Sequence, residues 1–227
     1  MRAGKRDSLV VVGQVGQSLD GRIATTTGRS RYINGAAGLA HLHRLRALVD
    51  AVVIGVGCAL ADDPQLTVRH VRGRNPARVV IDPHGRLAPT ARVLAEDGVR
   101  RVVVTGQGAR PQCAGAEIVG LPAEDGRIEP AAVLASLAER GMRRILVEGG
   151  PETLARFLAA RCIDRLHVIV APIILGDGRP GFSLGPIDRV EQALSPPTQV
   201  HRLDDEVLFD CDFSAQRAPI GEAKKST

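Results

Sequence analysis

From Arg144 to Leu154 the chain reads Arg-Ile-Leu-Val-Glu-Gly-Gly-Pro-Glu-Thr-Leu, an apolar run, two glycines and the start of a helix. Ile145, Leu146 and Val147 form the continuous apolar stretch expected of a strand buried on both faces. Gly149 and Gly150 let the backbone turn tightly and approach a ligand with no Cβ in the way. Pro151 suits the first helical position, where a missing N–H costs nothing. The N–H groups that follow, together with the helix dipole, form an anion site. Glu148 then stands at the carboxyl end of the strand, where open α/β sheets bind ligands. The same residues also suit an ordinary βα turn with a solvated glutamate.

The rest of the chain is consistent with an α/β domain. Strands are expected at Leu9–Gly16, Ala51–Val56, Ala77–Ile81, Arg101–Thr105, Glu117–Leu121, Arg144–Glu148 and Arg165–Ala171, within Val190–Val200, and at Glu206–Phe213. Helices are expected at Ala36–Val49, Pro130–Arg140 and Pro151–Arg161. Strands alternate with helices first, and consecutive strands close the chain. That order predicts one domain over residues 8–215, with a mostly parallel sheet and antiparallel C-terminal strands. The polar ends, 1–7 and 216–227, are expected to be disordered.

The helix expected at Ala36–Val49 opens after Asn34, a good N-cap. At about 100° per residue, Leu39, Leu42, Leu45 and Val49 share one arc, and Arg46 falls inside it. An inward arginine either snorkels at the edge of the apolar face or meets a buried anion.

Composition narrows the partners. Of 30 Lys and Arg residues only Lys5, Lys224 and Lys225 are lysines, and the arginines are scattered rather than striped. With one Tyr, four Phe and no Trp, there is almost no stacking platform for bases, so anionic small molecules fit better than nucleic acid. No apolar run approaches the roughly 20 residues of a membrane span. Cys58, Cys113, Cys162 and Cys211 are far apart, which reads as reduced thiols in a cytoplasmic protein. No His or Cys spacing suggests a metal.

Two further stretches carry chemistry. In Ala61-Asp62-Asp63-Pro64-Gln65-Leu66-Thr67-Val68-Arg69, Pro64 keeps Asp63 out of the helical region, so the acidic pair sits in a rigid turn. A carboxylate there can accept from a ribose or a base edge, and Arg69 can grip phosphate; the pair can equally cap a turn. Gly13-Gln14-Val15-Gly16-Gln17-Ser18-Leu19-Asp20-Gly21-Arg22 is a glycine- and serine-rich exit from the first strand, able to lie along a cofactor. Gly55-Val56-Gly57 and Gly106-Gln107-Gly108 each follow an apolar strand. The first lacks a third glycine at Leu60 and the second has Pro111 there, so neither reads as a dinucleotide fingerprint.

Taken in order, these stretches resemble the reductase domain of the bifunctional riboflavin-biosynthesis deaminase/reductase and its stand-alone relatives. The resemblance runs from Val10 to Phe213. It rests on Ser18–Arg22, Leu60–Pro64 with Leu66–Arg69, Asn75-Pro76-x-Arg78, Val147–Pro151 and Ala171-Pro172-x-x-Leu175-Gly176. It implies a dihydrofolate-reductase-like three-layer fold, NADPH as cofactor, a homodimer, and reduction of the ribosyl group of a ribosylaminopyrimidine 5′-phosphate to ribityl. By position it implies cofactor contacts from Gly16, Tyr32, Cys58, Asp62 and Gly150, Pro151, Glu152, Thr153 and Leu154. It implies substrate contacts from Ser30, Arg46, Leu66, Arg69 and Glu148, with Asp62 and Glu148 as the catalytic carboxylates. Three positions depart from the family pattern. Tyr32 stands where Trp is frequent, Cys58 where Thr is common, and Pro83 where a Ser can help bind cofactor. A zinc-deaminase signature, His-x-Glu with Pro-Cys-x-x-Cys, is absent from the sequence, so deamination is not expected of it.

Overall fold

The computed structural model describes residues 8–30, 33–148 and 150–220. In chain order the first elements are β1 (Val10–Ser18), β2 (Arg22–Thr25), α1 (Ala36–Leu48), β3 (Ala51–Gly55), α2 (Val56–Asp62) and β4 (Ala77–Ile81). β5 (Arg101–Gly106), β6 (Glu117–Leu121), the hairpin β7 (Ala123–Glu124) and β8 (Arg127–Ile128), and α3 (Pro130–Glu139) follow. The chain closes with β9 (Arg144–Glu148), α4 (Pro151–Ala159), β10 (Arg165–Ala171), β11 (Gly178–Pro180), β12 (Thr198–Leu203) and β13 (Glu206–Asp212).

Nine strands form one sheet in the order β12-β13-β10-β1-β9-β3-β4-β5-β6. From β10 to β6 neighbours are parallel, and β13 and β12 join antiparallel. The two-residue period of each strand sends alternate side chains to opposite faces. Ala51, Val53, Val79, Val102 and Val147 meet Val133, Leu134 and Leu137 of α3 and Leu154 and Phe157 of α4. Val52, Ile54, Val80, Val103 and Leu146 meet α2 and the Leu42, Leu45 and Val49 side of α1. Helices on both faces give the three-layer α/β fold. No helix among the described residues is long and apolar enough to cross a membrane.

Several elements differ from expectation. Between the strand and the Asp62-Asp63 turn lies a helix that was not expected, Val56–Asp62; it ends where Asp63 turns left-handed at φ 39°. β2 and β11 are short and pair across the length of the chain, beyond the reach of local periodicity. In the Val190–Val200 stretch, residues 190–192 form a single 3-10 turn, and the strand starts at Thr198 after two donor-less prolines. The C-terminal end is tied down past residue 216. Arg217 pairs with Asp164, and the N–H of Ala218 donates to Arg161 at 2.9 Å.

Helix α1 is anchored by an unexpected partner. Its N-cap is Gly35 rather than Asn34. The carboxylate of Glu206, on β13, accepts from the N–H of Gly35 at 3.0 Å, the N–H of Gly38 at 2.9 Å and the Asn34 amide at 2.8 Å. Gly38 is needed there, because a Cβ would lie 2.5 Å from Glu206 Oε2. The buried face of α1 is more polar than the wheel implied. Leu39 is 39 % exposed, whereas His43 and Arg46 are 2 % and 7 % exposed. His43 accepts the Arg69 N–H at Nδ1 (3.0 Å), and burial, ahead of the nearby Arg46 charge, pushes it down to about 4. His41 meets His167 at 2.9 Å and is likewise pushed down to about 4, by burial and then by His167.

Two outcomes follow from these contacts. Glu206→Ala leaves the first N–H groups of α1 without their acceptor, and denaturant unfolding should show a loss of about 2 kcal/mol. The histidines bind protons less readily folded than unfolded, so stability is fully present above the unfolded value of 6.5 and declines as pH falls from there to about 4. Urea midpoints measured across that window should fall with pH, and less steeply in His41→Leu; a flat profile would contradict the burial of these rings.

Candidate active site

A cleft of about 680 Å³ opens at the carboxyl ends of β1, β9, β3 and β4. Those four neighbours span about 14 Å at ~4.8 Å per strand. Its floor carries Gln14 and Gly16 from β1, Glu148 from β9, Gly55 from β3 and Ile81 from β4. The β2–β11 pair and the β7–β8 hairpin wall the two ends.

At the end of β9, Glu148 is gripped from behind by α1. Arg46 donates from Nε to Glu148 Oε1 at 2.7 Å and from Nη2 to Oε2 at 2.6 Å, a two-pronged pairing. Its remaining nitrogen, Nη1, donates to the Thr67 carbonyl at 3.0 Å. Both side chains are 8 % exposed. The Glu148 charge holds the Arg46 guanidinium above its ordinary value against the opposing effect of burial. Glu148 is thus a fixed anion facing the cleft, and Gln14 is its neighbour across the ladder.

Beside it α4 begins. Gly150 is the N-cap, Pro151 takes the first turn, and no side chain caps this end. A Cβ on Gly150 would find nothing nearer than Cys58 Sγ at 4.0 Å, so the surface above the helix start is open. On β3, Gly55 is obligatory for another reason: a Cβ would sit 2.3 Å from the Thr153 hydroxyl. Cys58 is pushed up to about 11, by burial first and then by the Asp62 charge, which makes it a neutral thiol. Asp62 is raised by burial and opposed by Arg179 of the β2–β11 end.

The loops at the β1 end are stitched by Asp20. It accepts from the Ser18 hydroxyl at 2.6 Å and from the N–H groups of Leu175 and Gly176 at 3.1 and 2.8 Å. Those bonds, led by the Ser18 hydroxyl, lower Asp20 to about 2. Gly16 is required by Asn34, whose Oδ1 would lie 1.7 Å from a Cβ there.

Of the residues singled out from sequence, Gly16, Ser30, Cys58, Asp62, Glu148, Gly150, Pro151, Glu152 and Thr153 line this cleft. Four do not. Arg46 stands behind Glu148, with its fork committed to that carboxylate, so the direct substrate contact expected of it needs correction. Leu66 and Leu154 are 2 % and 0 % exposed core residues, and the Leu154 N–H is spent on the Gly150 carbonyl at 3.4 Å. Arg69 is exposed outside the cleft, donates to Gln65 at 2.7 Å, and is lowered by burial and by repulsion from Arg46 and Arg92. Tyr32 and Gly149 lie outside the described residues. Sequence reasoning missed Gln14, whose position only the ladder register reveals. It also missed His84, Arg86, Arg127 and Arg179, which sit on loops or very short strands without periodic signal.

Comparison with known proteins places this geometry. The chain is 36 % identical over 174 residues to the 2,5-diamino-6-ribosylamino-4(3H)-pyrimidinone 5′-phosphate reductase of Methanothermobacter thermautotrophicus, covering 73 % of this chain and 79 % of that protein. It is 33 % identical over 183 residues to the riboflavin biosynthesis protein RibD of Aquifex aeolicus, 78 % of this chain but half (50 %) of that one. The solved deaminase/5-amino-6-(5-phosphoribosylamino)uracil reductase of Thermotoga maritima superposes with a TM-score of 0.80 at 30 % identity, over 91 % of this chain and 57 % of the other. The chain therefore spans about half the length of the bifunctional relatives. The family model described as the RibD C-terminal domain matches residues 10–207, and the chain belongs to that family.

Proposed function

We propose that the protein is an NADPH-dependent reductase that converts the ribosyl group of a ribosylaminopyrimidine 5′-phosphate to ribityl in riboflavin biosynthesis. The observation that carries this reading is the clamped Glu148 anion beside an uncapped helix start in one cleft. The open backbone above Gly150 and the dipole of α4 suit a diphosphate, so the residues present fit a dinucleotide. Gly16, Cys58, Asp62 and the Gly150–Thr153 turn would hold it, and when bound it supplies the hydride.

The protein's own part is electrostatic. A ring-opened, imine-like substrate develops positive charge at its C1′ atom. Glu148, fixed in place by the Arg46 fork, offers a preorganised carboxylate to that atom at no cost of reorientation. Arg46 acts through Glu148 rather than on the substrate. Ser30 and Gln14 line the same pocket and can orient hydroxyl groups. Arg69, exposed just outside the cleft with the Arg46 and Arg92 charges near it, is the arginine we assign to the 5′-phosphate.

Steady-state NADPH oxidation with the aminouracil and the diaminopyrimidinone ribosyl phosphates, side by side, tests the assignment. The high coverage of the Methanothermobacter reductase makes the pyrimidinone the second substrate to include. Arg46→Ala strands a buried carboxylate and should cost about 3–5 kcal/mol of stability. Arg46→Leu/Glu148→Leu should recover most of that loss while turnover stays absent. A double variant that is stable and still turns over would remove Glu148 from the chemistry.

We further propose that the protein functions as a homodimer in the cytoplasm. The antiparallel end of the sheet and the segment before it expose Ile174 at 76 %, Val190 at 83 % and Val200 at 60 %, and among the described residues β12 is the open edge of the sheet beyond β13. An apolar edge of this kind needs cover. Sedimentation at micromolar concentration should give a species of twice 24.0 kDa. A monomer alone would contradict the dimer and leave the reductase assignment standing.

A further inference from the structure

A buried histidine on α1 lies outside the cleft, yet its ring holds the loop that carries Arg69. His43 is 2 % exposed and stands three residues before Arg46, so the two share the buried side of the helix. Its Nδ1 accepts the Arg69 N–H at 3.0 Å, and its ring meets the His70 ring edge to face, with centroids 4.6 Å apart. An imidazole accepts at Nδ1 only when that nitrogen carries no proton. Burial first, then the positive charges of Arg46, His70 and Arg69, push His43 down to about 4, which keeps the ring neutral.

The loop is pinned along its length. It begins at Leu66, which is 2 % exposed, left-handed at φ 54°, and packed into the core. The Thr67 carbonyl accepts from Arg46 Nη1 at 3.0 Å, and the Val68 N–H donates to the Asn75 side chain at 2.7 Å. Gly73 lies against α1, where a Cβ would come within 2.4 Å of the Ala47 Cβ. Two of these ties work as a pair: Arg46 holds Thr67, and His43 holds Arg69. Arg46 turns its other two donors to Glu148. One turn of helix therefore fixes both the Glu148 carboxylate and the backbone of Arg69.

The Arg69 side chain is held more loosely than its backbone. It is exposed, and its Nη1 donates to Gln65 at 2.7 Å. The charges of Arg46 and Arg92 repel it rather than pair with it. A guanidinium bonded only to a neutral amide gains most from an anion such as phosphate. How well it meets a phosphate at a set distance from Glu148 depends on where its backbone starts.

We infer that His43 is a positioning residue: by holding the Arg69 N–H it sets the separation between the carboxylate offered to C1′ and the guanidinium offered to the 5′-phosphate. It thereby matches the site to the length of a ribosyl phosphate. The inference rests on the roles proposed above for Glu148 and Arg69. His43 does not line the cleft and acts through Arg69.

Steady-state kinetics with the ribosyl phosphate and its dephosphorylated counterpart test this role. His43→Leu removes the acceptor, whereas His43→Asn places a carbonyl oxygen where Nδ1 was. His43→Leu should raise KM for the phosphorylated substrate about five- to tenfold, the equivalent of one hydrogen bond, with kcat held within about twofold. The dephosphorylated substrate should be unaffected, and His43→Asn should restore most of the lost KM. Adding His43→Leu to Arg69→Ala should raise KM no further than Arg69→Ala alone, because the two act as one unit. An equal loss with both substrates, His43→Asn as damaging as His43→Leu, or additive effects in the double variant would overturn the inference. Nitrogen NMR of the wild-type protein checks it without any substitution. The His43 ring should carry its proton on Nε2 at pH 7, and a proton on Nδ1 overturns the role. Calorimetric titration with ribose 5-phosphate separates this role from the reductase assignment. No reduction of either ribosyl phosphate, with ribose 5-phosphate affinity lost in His43→Leu and recovered in His43→Asn, overturns the assignment and supports the role of His43. Turnover with a KM indifferent to His43→Leu overturns that role alone.

Discussion

Two charges meet in the interior where α1 passes behind the end of β9, and the site is arranged around that pairing. Arg46 and Glu148 are both nearly sealed from water, and burying either alone would be costly. The pairing is tolerable because the geometry is close to ideal: two parallel bonds to the carboxylate and a third to the Thr67 carbonyl. Such a pair demands accurate placement of the helix that carries the arginine. Three contacts provide it. Glu206 satisfies the first turn of α1, Leu42 and Leu45 rest on the sheet, and His43 receives the Arg69 N–H from the neighbouring loop.

The two helices that flank the cleft are finished in opposite ways. The start of α1 is saturated by a carboxylate, whereas the start of α4 carries a glycine and a proline and no side-chain cap. A saturated helix start is framework. An uncapped start opening on a cleft keeps its backbone donors and its dipole for an anion. This makes phosphate recognition possible without the glycine-rich fingerprint of doubly wound dinucleotide folds. It also accounts for Gly55-Val56-Gly57, which does not read as a dinucleotide fingerprint: Gly55 leaves room for Thr153 rather than cradling a phosphate.

The strands of the parallel core, their parallel order and the placement of Glu148 at a strand end were legible because apolar runs and turn residues report burial directly. Pro151 at the helix start was legible for a similarly local reason. What could not be read is what depends on distant partners. Arg46 was seen to face inward, but its anion lies 102 residues away, and nothing local to either residue names the other. The N-cap was assigned to Asn34 because local preference points there, while the acceptor that serves α1 arrives from β13. Leu66 and Leu154 followed the family pattern into the list of contact residues, yet both side chains complete the core. Arg127 escaped notice because a two-residue strand leaves no pattern.

Glu206 has a consequence for the birth of the protein. It is separated from Gly38 by 168 residues, so α1 emerges long before the group that completes its first turn. At ribosomal speeds of about 5–20 residues per second, the interval is on the order of ten to thirty seconds. Throughout that time the first turn of the nascent helix carries open donors, and the placement of Arg46 lacks one of its three supports. The ligand cleft is consequently among the last parts of the molecule to be completed during synthesis, although most of its residues are translated early. A ribosome stalled before β13 would display the sheet's central strands but no finished binding site.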